Sequence, residues 1–167
     1  MGFFDKIKKM VGKTGVKLEY KWIENPFTFT DPMIKATILV KAEAEQITVL
    51  GITGTFVARR TNSDGEEEEI ILGEATENVD DCASIDRDGQ SVPEFPHTIA
   101  AGEEGNYGYF VGSEEEMDLA NSLGKWGVSD AASAKIGKVK FFFVGDVDIK
   151  ETVGMFDPSL EQEINVI

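Results

Sequence analysis

Ile47-Thr48-Val49-Leu50-Gly51-Ile52-Thr53-Gly54-Thr55-Phe56-Val57-Ala58, followed by Arg59-Arg60-Thr61-Asn62-Ser63-Asp64-Gly65 and four glutamates, is the stretch on which the fold turns. Residues 47–58 are apolar at odd and even positions alike and rich in β-branched types, which suits a central strand covered on both sides in a two-layer protein. From Arg59 to Asp64 the chain is expected to leave the core. The tetrad Asn62-Ser63-Asp64-Gly65 holds an Asp-Gly pair, a hairpin signal, and the glutamates lead into Ile70, Ile71 and Leu72 on the returning strand.

On the N-terminal side, Ile34, Ala36, Ile38 and Val40 alternate with polar residues, and so do Val16, Leu18, Tyr20 and Trp22. Each set reads as a half-buried strand whose apolar residues face the interior. Asn25-Pro26 and Asp31-Pro32 punctuate the connection between them. On the C-terminal side, residues 78–92 are polar and read as one long loop, and Phe95, Ile99, Tyr107, Tyr109 and Val111 suggest two short strands around the turn at Gly102–Gly105. Ser113 with Glu116 forms a capping box for a helix to Leu123 along Met117, Ala120 and Leu123, with Gly124 as its stop. Residues 127–138 read as a surface loop. Val139, Phe141, Phe143, Val147 and Ile149 make a core-facing strand, Asp157-Pro158 a turn, and residues 164–167 a last strand.

Seven or so short strands with at most two short helices specify a mainly β chain folded as an antiparallel sandwich of the immunoglobulin-like kind. The expected organisation is a basic amphipathic helix within residues 1–14 and one sandwich domain over 15–167. In residues 3–11 the apolar side chains Phe3, Phe4, Ile7, Met10 and Val11 fall on one side of a helix, flanked by Lys6, Lys8 and Lys9. Phe3, Phe4, Lys6, Ile7, Lys8 and Lys9 are therefore the candidate contact residues for a partner groove or a membrane surface. The same stripe would also serve to pack back on the sandwich.

The 167 residues carry 16 Lys and Arg against 31 Asp and Glu, a net charge of −15, so a phosphate backbone is repelled and nucleic acid is not the expected partner. The charge is uneven. Residues 1–41 hold eight Lys and four acids, net +4, and the remainder is net −19. One Cys and one His cannot build a zinc site. Asp80, Asp81, Asp86 and Asp88 resemble a calcium loop in composition, but with Gly89 in sixth place the first position is Ser84 and the twelfth Phe95, not the required Asp and Glu. His97 has no nucleophile in a recognisable motif and reads as a half-exposed strand histidine. The acids around Cys82 push a thiol pKa the wrong way for reactivity. Phosphate-binding glycine loops are absent, and no carboxylate pair lies on an aromatic-lined stretch. The expectation is a non-enzymatic protein without metal or cofactor, and, with no apolar run of about 20 residues or signal peptide, a cytoplasmic one.

Three groups of short motifs carry a resemblance. They are Met1-Gly2-Phe3-Phe4-Asp5-Lys6 running on to Gly15-Val16-Lys17-Leu18, then Glu94-Phe95-Pro96-His97-Thr98-Ile99, and finally Phe142-Phe143-Val144-Gly145-Asp146-Val147-Asp148-Ile149 with Asp157-Pro158 and Ile164-Asn165-Val166. In order and spacing this chain resembles the bacterial sporulation-control proteins of the arrestin-like group. The resemblance implies an arrestin-like β-sandwich, no catalytic residues, and an intracellular regulatory or scaffolding role through protein contacts. The helix ending at Leu123 and its following loop stand where that family has a shorter connection, and no second sandwich follows within these residues. Partner surfaces are therefore not carried over, and a single sandwich would pair with itself through an exposed sheet edge. The alternative expectation is a calcium- or lipid-dependent membrane-binding sandwich, from the acidic loop and the basic start.

Overall fold

The computed structural model describes residues 15–31, 33–80, 83–85, 91–111, 117–152 and 157–167. Its axis is the strand read first above, now β3 (Ile47–Thr61) after β1 (Val16–Ile23) and β2 (Ile34–Ala42). Antiparallel partners flank β3 on both sides: β4 (Glu67–Asn78) on one, β9 (Lys140–Ile149) on the other. Further along the edge used by β4, β7 (His97–Ile99) pairs with Ile47–Val49. β10 (Ser159–Ile164) adds to β9 and completes a five-stranded sheet in the order β10-β9-β3-β4 with β7 beside β3. The second layer is β1-β2-β8, with β8 (Glu104–Val111) antiparallel to β2. The mainly β, two-sheet antiparallel architecture expected from the alternation is the one observed.

One apolar cluster fills the space between the layers. From the smaller sheet come Val16, Leu18, Ile34, Ile38, Val40 and Tyr107; from the larger come Val49, Ile52, Phe56, Phe141, Phe143 and Val147. Alternation puts these side chains on facing surfaces, and each apolar ring withdrawn from water favours this one register over its neighbours. The layers approach closely at the centre: a Cβ on Gly145 would lie 2.7 Å from Ile38 Cδ1, so the isoleucine would have to shift to admit one. Tyr20 ties the layers together by a polar bond as well, its hydroxyl lying 3.1 Å from the Phe143 carbonyl and 3.0 Å from that of Leu160.

Several local expectations change. Arg59 does not end the strand: β3 runs to Thr61, and Arg59, on the outer face of the sheet, is only 6% exposed, because Glu69 on the adjacent β4 and Glu161 on β10, one strand beyond β9, receive its charge. Trp22 does not face the interior. A register shift between Tyr20 and Trp22 inserts Lys21, so Trp22 pairs with Thr37 on the outer face and is 52% exposed. The hairpin turn is one residue longer than an Asp-Gly two-residue loop. Gly65 alone takes a positive φ, 84°, and Asn62 bonds to Glu66 across Ser63, Asp64 and Gly65, which is the three-residue loop with a glycine bulge.

Residues 78–92 are not one loop, since Ala83–Ile85 and Ser91–Pro93 pair as β5 and β6. The helix at the end of that region is shorter than its sequence suggests. Asp118, in extended conformation, caps α1 (Leu119–Leu123), so no helix runs unbroken from Ser113; Ser113 and Glu116 lie outside the described residues. Gly124 does not stop the chain's coiling, because a 3₁₀ turn over Gly124–Trp126 follows and ends at Gly127 in the left-handed region. The expected loop 127–138 contains α2 (Ala131–Ile136), held by a capping box between Asp130 and Ser133. The last strand is β10, ending at Ile164, after which Val166 makes an isolated parallel bridge to Phe27. Among the described residues there are ten strands rather than about seven.

Candidate interaction surfaces

The contact residues expected from sequence, Phe3, Phe4, Lys6, Ile7, Lys8 and Lys9, lie outside the described residues. What the structure does describe is the two outer faces of the sandwich, and their chemistry differs.

On the five-stranded sheet, register fixes what meets what. Arg59 and Arg60 are neighbours in β3, so they point to opposite faces, and each finds a glutamate directly across on β4, Glu69 and Glu68. Arg59 Nε lies 2.6 Å from Glu69 Oε2 and Nη1 2.9 Å from Glu161 Oε2, with the guanidinium 4.6 Å from the Phe142 ring centre. The two carboxylates outweigh the desolvation that burial imposes, and the pKa of Arg59 is raised. Arg60 Nε lies 2.7 Å from Glu68 Oε2 and 4.7 Å from the Trp126 ring centre, at the rim where the 3₁₀ turn covers the sheet end. A cavity of about 430 Å³ there is lined by Arg60, Glu68, Glu69, Lys125 and Trp126. Beyond Arg59, the outer face carries Val57, Ile71, Phe142 and Val144 among Glu67, Glu69, Glu74, Asp146, Asp148, Glu161 and Glu163, with Lys140 as the second cation. Ile71 is 59% exposed. β4 forms the border of this sheet, with β3 on one side and no strand on the other among the described residues. Burial in this acidic setting raises the pKa of Asp146, with Asp157 and Glu74 adding to it and a Ser159 hydrogen bond opposing it.

The outer face of β1-β2-β8 is different. Lys17 and Lys41 stand directly opposite each other, Trp22 opposes Thr37, and Lys35 follows on β2; Lys21 is exposed at the bulge. Glu19 and Glu104 are the acids within these strands, and the ladder continues past them to Glu24, whose carboxylate accepts the Lys35 N–H at 3.2 Å, and to Glu43 beside Gly15, so lysines and glutamates alternate over the face. It gathers four of the eight lysines of residues 1–41, with an indole added by the bulge.

Among the described residues, the remaining sequence candidates do not come together as a reactive site. His97 sits on β7, exposed, with Nδ1 2.5 Å from the Tyr107 hydroxyl, and Tyr107 stacks on Phe95 at 5.6 Å. Burial raises the pKa of Tyr107, and Glu94 adds to the rise. No serine or cysteine within the described geometry completes a relay with His97. Cys82, Asp81, Asp86 and Asp88 lie outside the described residues; Asp80 is described, its backbone N–H donating to Asn78 Oδ1 at 2.8 Å. Among the described residues no group of three or more His, Cys, Asp or Glu is arranged to hold a metal, and no helix is long and apolar enough to cross a membrane. Sequence reasoning missed Trp22 as a surface residue because a bulge leaves no mark in the alternation, and missed Arg59 because a cation in a strand was taken as the strand's end.

No protein-family model matches the chain, and no curated protein matches its sequence. Among solved structures, the sporulation control protein Spo0M from Bacillus subtilis is similar at 17% identity with a TM-score of 0.49. That likeness covers 90% of this chain and 48% of the other, so the chain spans about half that protein's length. A protein from Archaeoglobus fulgidus is similar at 13% identity and a TM-score of 0.41, over 89% of this chain and 90% of that one.

Proposed function

We propose that this chain is a non-enzymatic regulatory or scaffolding protein of the arrestin-like kind, working in the cytoplasm through protein–protein contacts. The observation that carries the reading is the placement of its exposed apolar side chains. Trp22 and Ile71 stand on the outer faces of opposite layers, each ringed by charge, which is the composition of a contact patch with a polar rim. Large exposed side chains in such settings are where binding energy concentrates. The motif resemblance of the sequence to sporulation-control proteins supports the same role.

The test is capture with a photo-reactive residue at position 22 or 71 of the full chain, and in a chain lacking residues 1–13. The expected result is a saturable cross-linked protein at one of these positions. No saturable protein for either chain, or cross-links equally strong from an exposed control such as Ile136, overturns the reading. A second reading, contact with an anionic membrane, is favoured by Trp22 standing with Lys17, Lys21, Lys35 and Lys41. Co-sedimentation with phosphatidylserine vesicles, with and without Ca²⁺, tests it: binding lost in Trp22→Thr supports it, and no binding in either condition removes it.

A further inference from the structure

The outer face of the five-stranded sheet joins an apolar row to an excess of one charge. Register places Ile71 on β4, Val57 on β3 and Phe142 on β9 side by side, with Val144 the next outward residue of β9. Seven carboxylates stand around this row against two cations. Arg59 is taken by Glu69 and Glu161, and Lys140 by Glu163, which leaves Glu67, Glu74, Asp146 and Asp148 without an ion pair among the described residues. Counting in Glu151, Asp157, Lys138 and Lys150 at the strand ends gives nine carboxylates against four cations. We propose that this face docks a basic segment of another protein, one that lays an apolar side chain on the Ile71–Phe142 row and directs lysine or arginine toward Asp146 and Asp148. The proposal rests on the protein-contact reading and names the chemistry of the partner.

The layout of the face sets what fits it. Asp146 and Asp148 pair with Thr53 and Gly51, four and six residues along β3 from Val57, so they stand about 13 and 20 Å from the apolar row. Burial raises the pKa of both, and Asp157 adds to each rise, as happens where no cation answers the charge. A metal ion or a polyamine would leave the row uncovered, and nucleic acid or anionic lipid is repelled. A second copy brings a net charge of −15 of its own, and its Trp22 face sets Glu19, Glu24, Glu43 and Glu104 against four lysines. What fits is a cationic segment of a different chain with an apolar anchor. The anchor supplies affinity, and the charges supply register and encounter rate. The row spans only about 10 Å across three strands, so the contact is weaker than a standard interface.

The experiment titrates the full chain into a fluorescent peptide in which two phenylalanines are followed by four lysines, with anisotropy as the readout. The expected dissociation constant is on the order of 10–100 μM at about 0.15 M salt, weakened about tenfold at about 1 M. Two triple variants separate the face from the net charge, and both are checked for the parent's circular dichroism. Glu74→Gln, Asp146→Asn and Asp148→Asn together are expected to weaken binding about tenfold or more. Glu24→Gln, Glu43→Gln and Glu104→Gln, which remove as many charges from the opposite layer, are expected to weaken it less than about twofold. Ile71→Thr is expected to weaken the phenylalanine peptide about fivefold and to leave a lysine-only peptide unchanged. That single variant stands in should the first triple fail to fold.

Three results overturn the proposal: no saturable binding of the peptide, equal weakening by the two triples, which marks attraction by net charge alone, or an Ile71→Thr chain that binds as the parent does. Binding gained only after residues 1–13 are removed also overturns it, in favour of the chain's own basic start as the occupant. If the peptide does not bind but position 22 or 71 still captures another protein, this docking fails and the protein-contact reading stands. With no peptide bound and no protein captured, both fall.

Discussion

The central strands of the two layers obey the same alternation yet treat their outer faces differently. On β3 the outward Val57 and Arg59 are buried, whereas on β2 the outward Lys35 is exposed, Thr37 and Lys41 are half-buried and only Leu39 is buried. The cause is what the neighbours contribute. Phe142 and Glu69 stand beside β3, and Glu161 reaches in from β10 to close over Arg59; beside Thr37 stand Gly108, which has no side chain, and Trp22, which stays 52% exposed. An outer face thus becomes a second small core or a contact surface according to the residues on the strands around it, which alternation within a strand does not reveal.

The largest effect that tests this contrast is in the shared interior. Phe143→Ala, on a ring with no exposure, is expected to cost about 3–5 kcal/mol in urea unfolding, and Thr37→Ala on the open face under about 0.5 kcal/mol. Similar costs at the two sites would mean that the layers are not packed as described. Next come the adjacent arginines. Arg59→Ala strands Glu69 and the mostly buried Glu161 and is expected to cost about 2 kcal/mol, below the full penalty of a sealed ion pair because Glu69 still reaches water. Arg60→Ala, at the rim, is expected to cost about 1 kcal/mol or less by the same measurement. A reversed order would place the buried cation at 60.

The smallest expected effect is one of pH. The carboxyl of Asp146 has a folded-state pKa above the ordinary 3.8, chiefly through burial, so the native state takes up its proton more readily than the unfolded chain. Its contribution to stability is therefore fully present below pH 3.8 and lost as pH rises through the folded-state value. Asp146→Asn is expected to raise stability at pH 7 and to leave it unchanged near pH 3, with urea midpoints at the two pH values as the check. A larger gain at pH 3 would refute the assignment.

Much of the scaffold was legible in the sequence, because burial of one strand face leaves a period of two. Val16 to Leu18, Ile34 to Val40 and Phe141 to Ile149 were readable for that reason, and the β3–β4 hairpin from its turn residues. The departures share a cause in interactions that are not periodic. The Lys21 bulge reverses the facing of Trp22, two glutamates from separate strands keep Arg59 inside, and a five-residue α1 and a six-residue α2 are too short to print a helical period. Residues 127–138 read as a loop, and the capping pair Asp130 and Ser133 that holds α2 is evident only in the structure. The outer faces were legible only as a charge imbalance between the first 41 residues and the rest, since no local pattern says which lysines share a face.

The most direct test of the outer faces as working surfaces uses Trp22 as its own reporter. In a Trp126→Phe chain, acrylamide quenching of the remaining indole is followed while the chain is titrated with itself and with the protein captured from position 22 or 71. The expected result is free quenching at low concentration, consistent with 52% exposure, and at least a twofold loss of quenching with a blue shift in one of the titrations. Trp22 equally quenchable throughout both titrations would contradict the assignment of this face to protein contact.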